Sequence, residues 1–128
     1  MSYYLTTKLT ESFTKAVERL VTALKTEGFG VLTEIDIDKV MAEKLGKSMR
    51  PYKILGACNP PFAHQVLELE SKAGLMLPCN CVVQELSPGQ VEISVIDPSA
   101  AMEAIGNPKL ASVAAQVRAK LQTVLEKL

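Results

Sequence analysis

The chain of 128 residues is 48% hydrophobic and carries 14 basic and 14 acidic residues. That length and apolar content predict one compact domain spanning residues 1–128. The charges cancel and no apolar run reaches the ~18 residues of a membrane span, so neither nucleic acid nor a membrane is expected as a partner. Three cysteines, an odd number, favour a reducing compartment, and no secretory signal is visible. We therefore expect a cytoplasmic protein.

In chain order, the first predicted strand is residues 2–7, which are aromatic and β-branched. An amphipathic helix follows, with Ser12 or Thr10 as N-cap and Gly28 at its C-terminal end. Its apolar stripe is Phe13, Val17, Leu20, Val21 and Leu24. Residues 29–36 predict a second strand and residues 36–47 a shorter helix.

A third strand is predicted from Tyr52 to Cys58, where the sequence Asn-Pro-Pro interrupts it. Pro60 or Pro61 can begin the next helix, because the first helical position needs no N–H donor. Two strands at 79–86 and 91–97 form a predicted hairpin across a Pro-Gly turn. A short helical segment at 99–106 and a long helix from about Asn107 complete the chain.

This succession has the order β-α-β-α-β-α-β-β-α. Strands that alternate with helices and finish in a hairpin predict an α+β fold, a two-layer α/β sandwich with a mixed five-stranded sheet. Apolar residues at both parities of the strands indicate that both faces of the sheet are buried in part. We expect a symmetric homodimer that covers the second face or a strand edge.

All three cysteines and the only histidine lie between residues 58 and 81. Cys58, Cys79, Cys81 and His64 could in principle supply a tetrahedral zinc site. The pattern C-x-C is not one of the paired knuckles that zinc sites normally use, so we expect neither a metal nor another cofactor. Cys81 is interpreted as a small hydrophobic core residue.

Two cysteines stand directly before an asparagine at predicted strand ends. If the ends Cys58-Asn59 and Cys79-Asn80 lie side by side, they would form a polar pocket with thiols at its base; alternatively they only terminate two strands at one edge. We expect both asparagine side chains to bind backbone groups. Cys58 precedes a helix N-terminus, where the helix dipole would lower its pKa and make it the candidate nucleophile.

A local group of basic residues accompanies this region. Lys44, Lys47, Arg50 and Lys53 lie close together in the sequence and could hold a phosphate or a carboxylate, although such charges are often simply solvated. The predicted ligand-binding set joins Lys44 and Arg50 to one aromatic residue and the two strand ends: Tyr52, Cys58, Asn59, Cys79 and Asn80.

Several short motifs resemble the "domain of unknown function 302" family of small bacterial and archaeal proteins: "KLG" at 44–46, "LGACNP" at 55–60, "LPCN" at 77–80 and "DP" at 97–98. The resemblance extends from about Thr6 to the final helix. It implies a compact, dimeric α/β sandwich with no established activity, so no catalytic residue can be carried over. Cys81 stands where family members more commonly have valine, which supports its role as a packing residue.

Three functions remain open at this point. The favoured hypothesis is a small-molecule or anion-binding module with its pocket at the two Cys-Asn strand ends. The first alternative is a thiol-dependent enzyme or redox protein that uses Cys58 as nucleophile and Cys79 as resolving partner. The second is an interaction protein whose role lies in its dimer surface.

Overall fold

A computed structural model describes residues 2–128 and contains one five-stranded sheet. In chain order the strands are β1 Tyr4–Thr10, β2 Gly30–Asp36, β3 Tyr52–Cys58, β4 Cys79–Ser87 and β5 Gln90–Ile96. Their spatial order is β1-β5-β4-β3-β2, so β1 and β2 form the two edges. The α+β class and the predicted element order are confirmed.

The sheet is antiparallel throughout, and in this respect the prediction of a mixed sheet was wrong. The helical connections after β2 and β3 each re-enter the sheet at the end where they left it. Ala57, next to the last residue of β3, is paired with Cys79, the first residue of β4. A helix between two strands therefore does not make these strands parallel. The helix can return the chain to the same end of the sheet, and the next strand then runs antiparallel to the one before it.

Within residues 2–128, five α-helices accompany the sheet. They are α1 Phe13–Thr26, α2 Ile37–Leu45, α3 Pro60–Leu69, α4 Pro98–Glu103 and α5 Ala111–Glu126. Two 3₁₀ helices cover Ser71–Met76 and Pro108–Leu110. The N-cap of α1 is Ser12, whose hydroxyl accepts a hydrogen bond from the amide of Lys15 at 3.2 Å. None of the helices described within residues 2–128 is long and apolar enough to cross a bilayer.

The core lies between one face of the sheet and the helices α1 and α5. A row of register partners on this face joins Leu55 to Cys81 and Cys81 to Val95. All three side chains are buried, as are Leu20 of α1 and Leu121 of α5. Cys81 is thus confirmed as a core residue, and the removal of such apolar surface from water is the main contribution to stability.

The second face of the sheet is amphipathic. One row of register partners on it runs from Ile35 through Ile54, Val82 and Ser94 to Thr6. Apolar side chains therefore occupy the part nearest β2, where Ile54 and Val82 are half-buried and Ile35 is exposed, and hydroxyl groups occupy the part nearest β1. This division gives the second face an apolar side and a polar side.

The edge strand β2 contains a β-bulge. Val31 is paired with Ala57 and Thr33 with Gly56, so Leu32 is an extra residue without a partner in β3. Such a residue breaks the alternation of a strand and redirects its side chain. Leu32 remains 66% exposed.

Candidate functional site

An apolar cavity of about 290 Å³ lies at the end of the sheet where β3 finishes and β4 begins. Its walls come from strand ends, from α3 and the chain after it, and from α4 and α5. Among the apolar lining residues are Phe62, Val66, Leu77, Met102, Val113 and Val117. Within residues 2–128 no charged side chain lines it, and its polar groups are the Asn59 amide and two thiols.

The two thiols belong to Cys58 and Cys79. Because Ala57 is opposite Cys79 in the register, the two cysteines lie at neighbouring strand ends, and both line the cavity. The sequence-based prediction that these ends meet is confirmed. All three cysteines are free thiols.

The electrostatic environment of these thiols favours the protonated form. Burial raises the pKa of Cys58 above its ordinary value of 9.0. For Cys79, burial and then the nearby Cys58 raise the pKa to about 11. The expectation of a lowered pKa at Cys58 was wrong: the shift is upward, and its cause is burial, which disfavours the charged thiolate. A thiol with a raised pKa is a poor nucleophile at neutral pH.

Asn59 holds the junction between β3 and α3 against the junction between α1 and β2. Its side chain is buried, and Nδ2 donates a hydrogen bond to the carbonyl oxygen of Glu27 at 3.1 Å. The neighbouring Gly28 has φ +84°, and a Cβ atom there would lie only 3.1 Å from the same Nδ2. Lys127 Nζ binds the Glu27 carboxylate at 2.9 Å, which lowers the pKa of that group. The predicted backbone hydrogen bond of Asn59 is confirmed.

Asn80 does not share this role, and the same prediction was wrong for it. The side chain is exposed, and Asn80 is paired with Gly56 on the second face of the sheet. Successive residues of a strand point to opposite faces, so a side chain directly after Cys79 turns away from the cavity. The second Cys-Asn end therefore contributes only its thiol.

The remaining predicted ligand-binding residues lie far from the two thiols. Tyr52 begins β3 and Cys58 ends it, and six residue steps of ~3.3 Å separate their Cα atoms by about 20 Å. Lys44, on α2, and Arg50 are exposed at the Tyr52 end, where Arg50 Nη1 lies 3.4 Å from Gln84 Oε1. The structure does not bring these three residues into one pocket with the cysteines.

The four residues that were weighed as zinc ligands are also dispersed. His64 is exposed on α3, where its Nε2 lies 3.2 Å from Glu68 Oε1, one turn along the helix. Cys81 is fully buried in the core, and burial raises its pKa to about 12. In the part of the chain from residue 2 to 128, no three histidine, cysteine or acidic side chains are grouped closely enough to hold a metal ion.

Most of the cavity wall was not recognised in the sequence. Met102 and Pro98 of α4 and Val113 and Val117 of α5 line it, although they are far from Cys58 in the chain. Their positions match the ordinary apolar spacing of packed helices. The one signal in the sequence was Asp97-Pro98, which marks the start of α4. The Asp97 carboxylate caps this helix by accepting a hydrogen bond from the amide of Ser99 at 2.9 Å.

Asp97 also contacts the second helix of this wall, α5. Its buried carboxylate accepts a hydrogen bond from Arg118 Nε of α5 at 3.0 Å. The two helices that form this wall are therefore joined by a charge-assisted hydrogen bond. This contact ties the start of α4 to α5, and both helices line the cavity.

Comparison with known proteins places this architecture in a family. Residues 5–128 match the family described as "Domain of unknown function DUF302". A crystal structure of an uncharacterized conserved DUF302 protein from Bacillus stearothermophilus is 30% identical, with a TM-score of 0.92. The alignment covers 99% of this chain and 98% of that one. No curated protein matches the chain.

Proposed function

This chain belongs to the DUF302 family, and we propose that it is a binding module whose cavity at the ends of β3 and β4 holds a small apolar molecule. The observation that carries the proposal is a cavity of about 290 Å³ whose lining contains no charged side chain within residues 2–128. Ligand sites are typically concave and largely apolar, with a few polar groups that fix orientation. The Asn59 amide and the two thiols are such groups.

The volume suggests the size of the ligand. An engineered apolar cavity of about 150 Å³ accommodates benzene. This cavity is about twice as large, which suits a molecule of two fused rings such as naphthalene or indole. An anion is a poor ligand here, because transfer of an unpaired charge into an apolar space costs several kcal/mol.

The thiol chemistry supports binding over catalysis. A nucleophilic or redox cysteine needs a thiolate, which positive charges or a helix N-terminus normally stabilise. Cys79 has a pKa of about 11, and burial raises that of Cys58 as well. We interpret both as soft apolar contacts for the ligand, in a reducing compartment that keeps them free.

Calorimetric titration with naphthalene or indole tests this proposal. The intact protein should bind one equivalent saturably. Ala63 of α3 lines the cavity, so the variant Ala63→Leu should occupy part of it and weaken binding. Ala119→Leu, at an exposed position of α5, adds the same side chain outside the cavity and should leave binding unchanged. Absence of binding by the wild-type protein, or equal losses in both variants, would contradict the proposal.

A homodimer formed by the second face of the sheet is the other candidate role, and one observation favours it. Ile35, Ile54 and Val82 form an apolar row on that face, and Ile35 is 43% exposed. Ile54 and Val82 are half-buried, so the row is partly exposed, and adjoining apolar side chains that stay partly exposed are typical of an interface. A symmetric pairing of two such faces would bury the row.

Sedimentation at micromolar concentration tests the dimer. The wild-type protein should sediment as a dimer, and Val82→Lys should give monomers, because a charge would be buried in the centre of the interface. Gln65→Lys, on the exposed surface of α3, is the matched charge control. A wild-type monomer would refute this role without affecting the cavity proposal.

A further inference from the structure

A second cavity of about 380 Å³ adjoins the apolar one. Met102 of α4 and Ala114 of α5 line both spaces. The two cavities are therefore neighbours across these two buried side chains. A methionine side chain is unbranched and flexible, so it can change rotamer and admit a thin chain between the two spaces.

The second cavity is more polar than the first. Ser99, Glu103 and Asn107 line it, and Glu103 is exposed. The Asn107 amide is already used, since its Oδ1 accepts from the amide of Lys109 at 3.0 Å and its Nδ2 donates to Leu69 O at 3.3 Å. Among residues 2–128 no cation is paired with Glu103, and no cationic side chain lines this cavity.

We propose that the two cavities together accept an amphiphile: an alkyl chain that ends in a hydroxyl or ammonium group. The chain occupies the apolar cavity and passes between Met102 and Ala114. Its polar end reaches the second cavity and donates a hydrogen bond to the Glu103 carboxylate. This inference rests on the proposed binding function of the first cavity and names the ligand class.

The charge in the second cavity decides which polar end fits. A carboxylate would face the like charge of Glu103 and has no donor of its own to offer. A hydroxyl donates one hydrogen bond, and an ammonium group adds the attraction of an ion pair. The expected order of affinity is decylammonium first, decan-1-ol next and decanoate last.

The first test measures chain length by calorimetry with hexan-1-ol, octan-1-ol and decan-1-ol. In the wild-type protein each added methylene that is buried should raise the affinity about fourfold. Ala114→Leu narrows the passage, so affinity should stop rising once the first cavity is full. Ala115→Leu, exposed on the same helix, should keep the wild-type length dependence.

The second test uses Glu103→Gln at an exposed position, where folding is not at risk. Decylammonium should lose about two- to fivefold in affinity, the range of an exposed ion pair, while decan-1-ol should bind as before. Unchanged length dependence in Ala114→Leu, or decanoate that binds as tightly as decylammonium, would overturn the inference. If naphthalene binds but decan-1-ol gains nothing over hexan-1-ol, only this inference fails. If neither naphthalene nor hexan-1-ol binds, the proposed function itself fails.

Discussion

Replacement of Asn59 by alanine should destabilise the protein far more than the same change at Asn80. The Asn59 side chain is 8% exposed and donates a hydrogen bond to the Glu27 carbonyl at 3.1 Å. Alanine removes the donor and leaves the part-buried Glu27 carbonyl without this partner. Loss of a partner by a buried polar group costs about 1–3 kcal/mol. No capping bond is lost as well, because the side chain of Asn59 does not cap α3.

Urea denaturation followed by far-UV circular dichroism measures the effect. A domain of this size has a slope of roughly 2 kcal/mol per molar urea, so the midpoint should fall by about 0.5–1.5 M. Asn80→Ala removes an exposed side chain and should change the free energy of unfolding by less than about 0.5 kcal/mol. The two variants make the same substitution, asparagine to alanine, at positions that differ in burial and in hydrogen bonding.

A third variant separates hydrogen bonding from packing. Asn59→Asp keeps the size of the side chain but at neutral pH offers only acceptors toward the Glu27 carbonyl. It should be at least as unstable as Asn59→Ala. If Asn59→Asp were as stable as the wild type, or if the alanine variants at 59 and 80 had equal midpoints, the assignment of this hydrogen bond as a structural tie would be refuted.

Three other changes have defined outcomes. Gly56→Ala should cost about 1–3 kcal/mol in a denaturation assay, because its Cβ would overlap two neighbouring side chains, whereas Gly30→Ala has open space and should be nearly neutral. Burial raises the pKa of Cys79 and Cys81 in the folded protein to about 11 and 12. The free energy of unfolding should therefore be highest below the ordinary thiol pKa of 9.0 and should fall as the pH rises from there toward the two raised values. A free energy of unfolding that does not change between about pH 8 and 11 would contradict this. Asp97→Ala should lower the melting temperature and weaken naphthalene binding together, while Asp97→Asn, which keeps an oxygen for the α4 cap, should lose less of both.

The sequence predicted the elements well because their signals are local. The stripe through Leu20 and Leu24 does face the core, and Ser12 and Gly28 are the boundaries of the first helix as expected. Pro60 occupies the first turn of α3. Sheet direction was less accessible, because it depends on which end of the sheet each helical connection returns to, and helices allow both.

The candidate site was predicted only in part, for two physical reasons. Strand geometry excludes two of the predicted site residues. Tyr52 is at the opposite end of β3 from Cys58, and Asn80 faces away from the cavity because it directly follows Cys79 in β4. The cavity itself had no local signal. Its volume is what remains between side chains such as Phe62 and Val113, which belong to elements about fifty residues apart, and no pattern within one element encodes that space.

The bulge at Leu32 also bears on aggregation. An unbroken edge strand exposes a row of free N–H and C=O groups to which another chain can add, and fibres grow in this way. The extra residue interrupts that row in β2 and hinders the addition of a sixth strand there. Leu32 also lines the apolar cavity, so one inserted residue both shapes a wall and protects an edge. Deletion of Leu32 would remove part of the cavity wall. It would also leave β2 as a regular edge strand to which another chain could add.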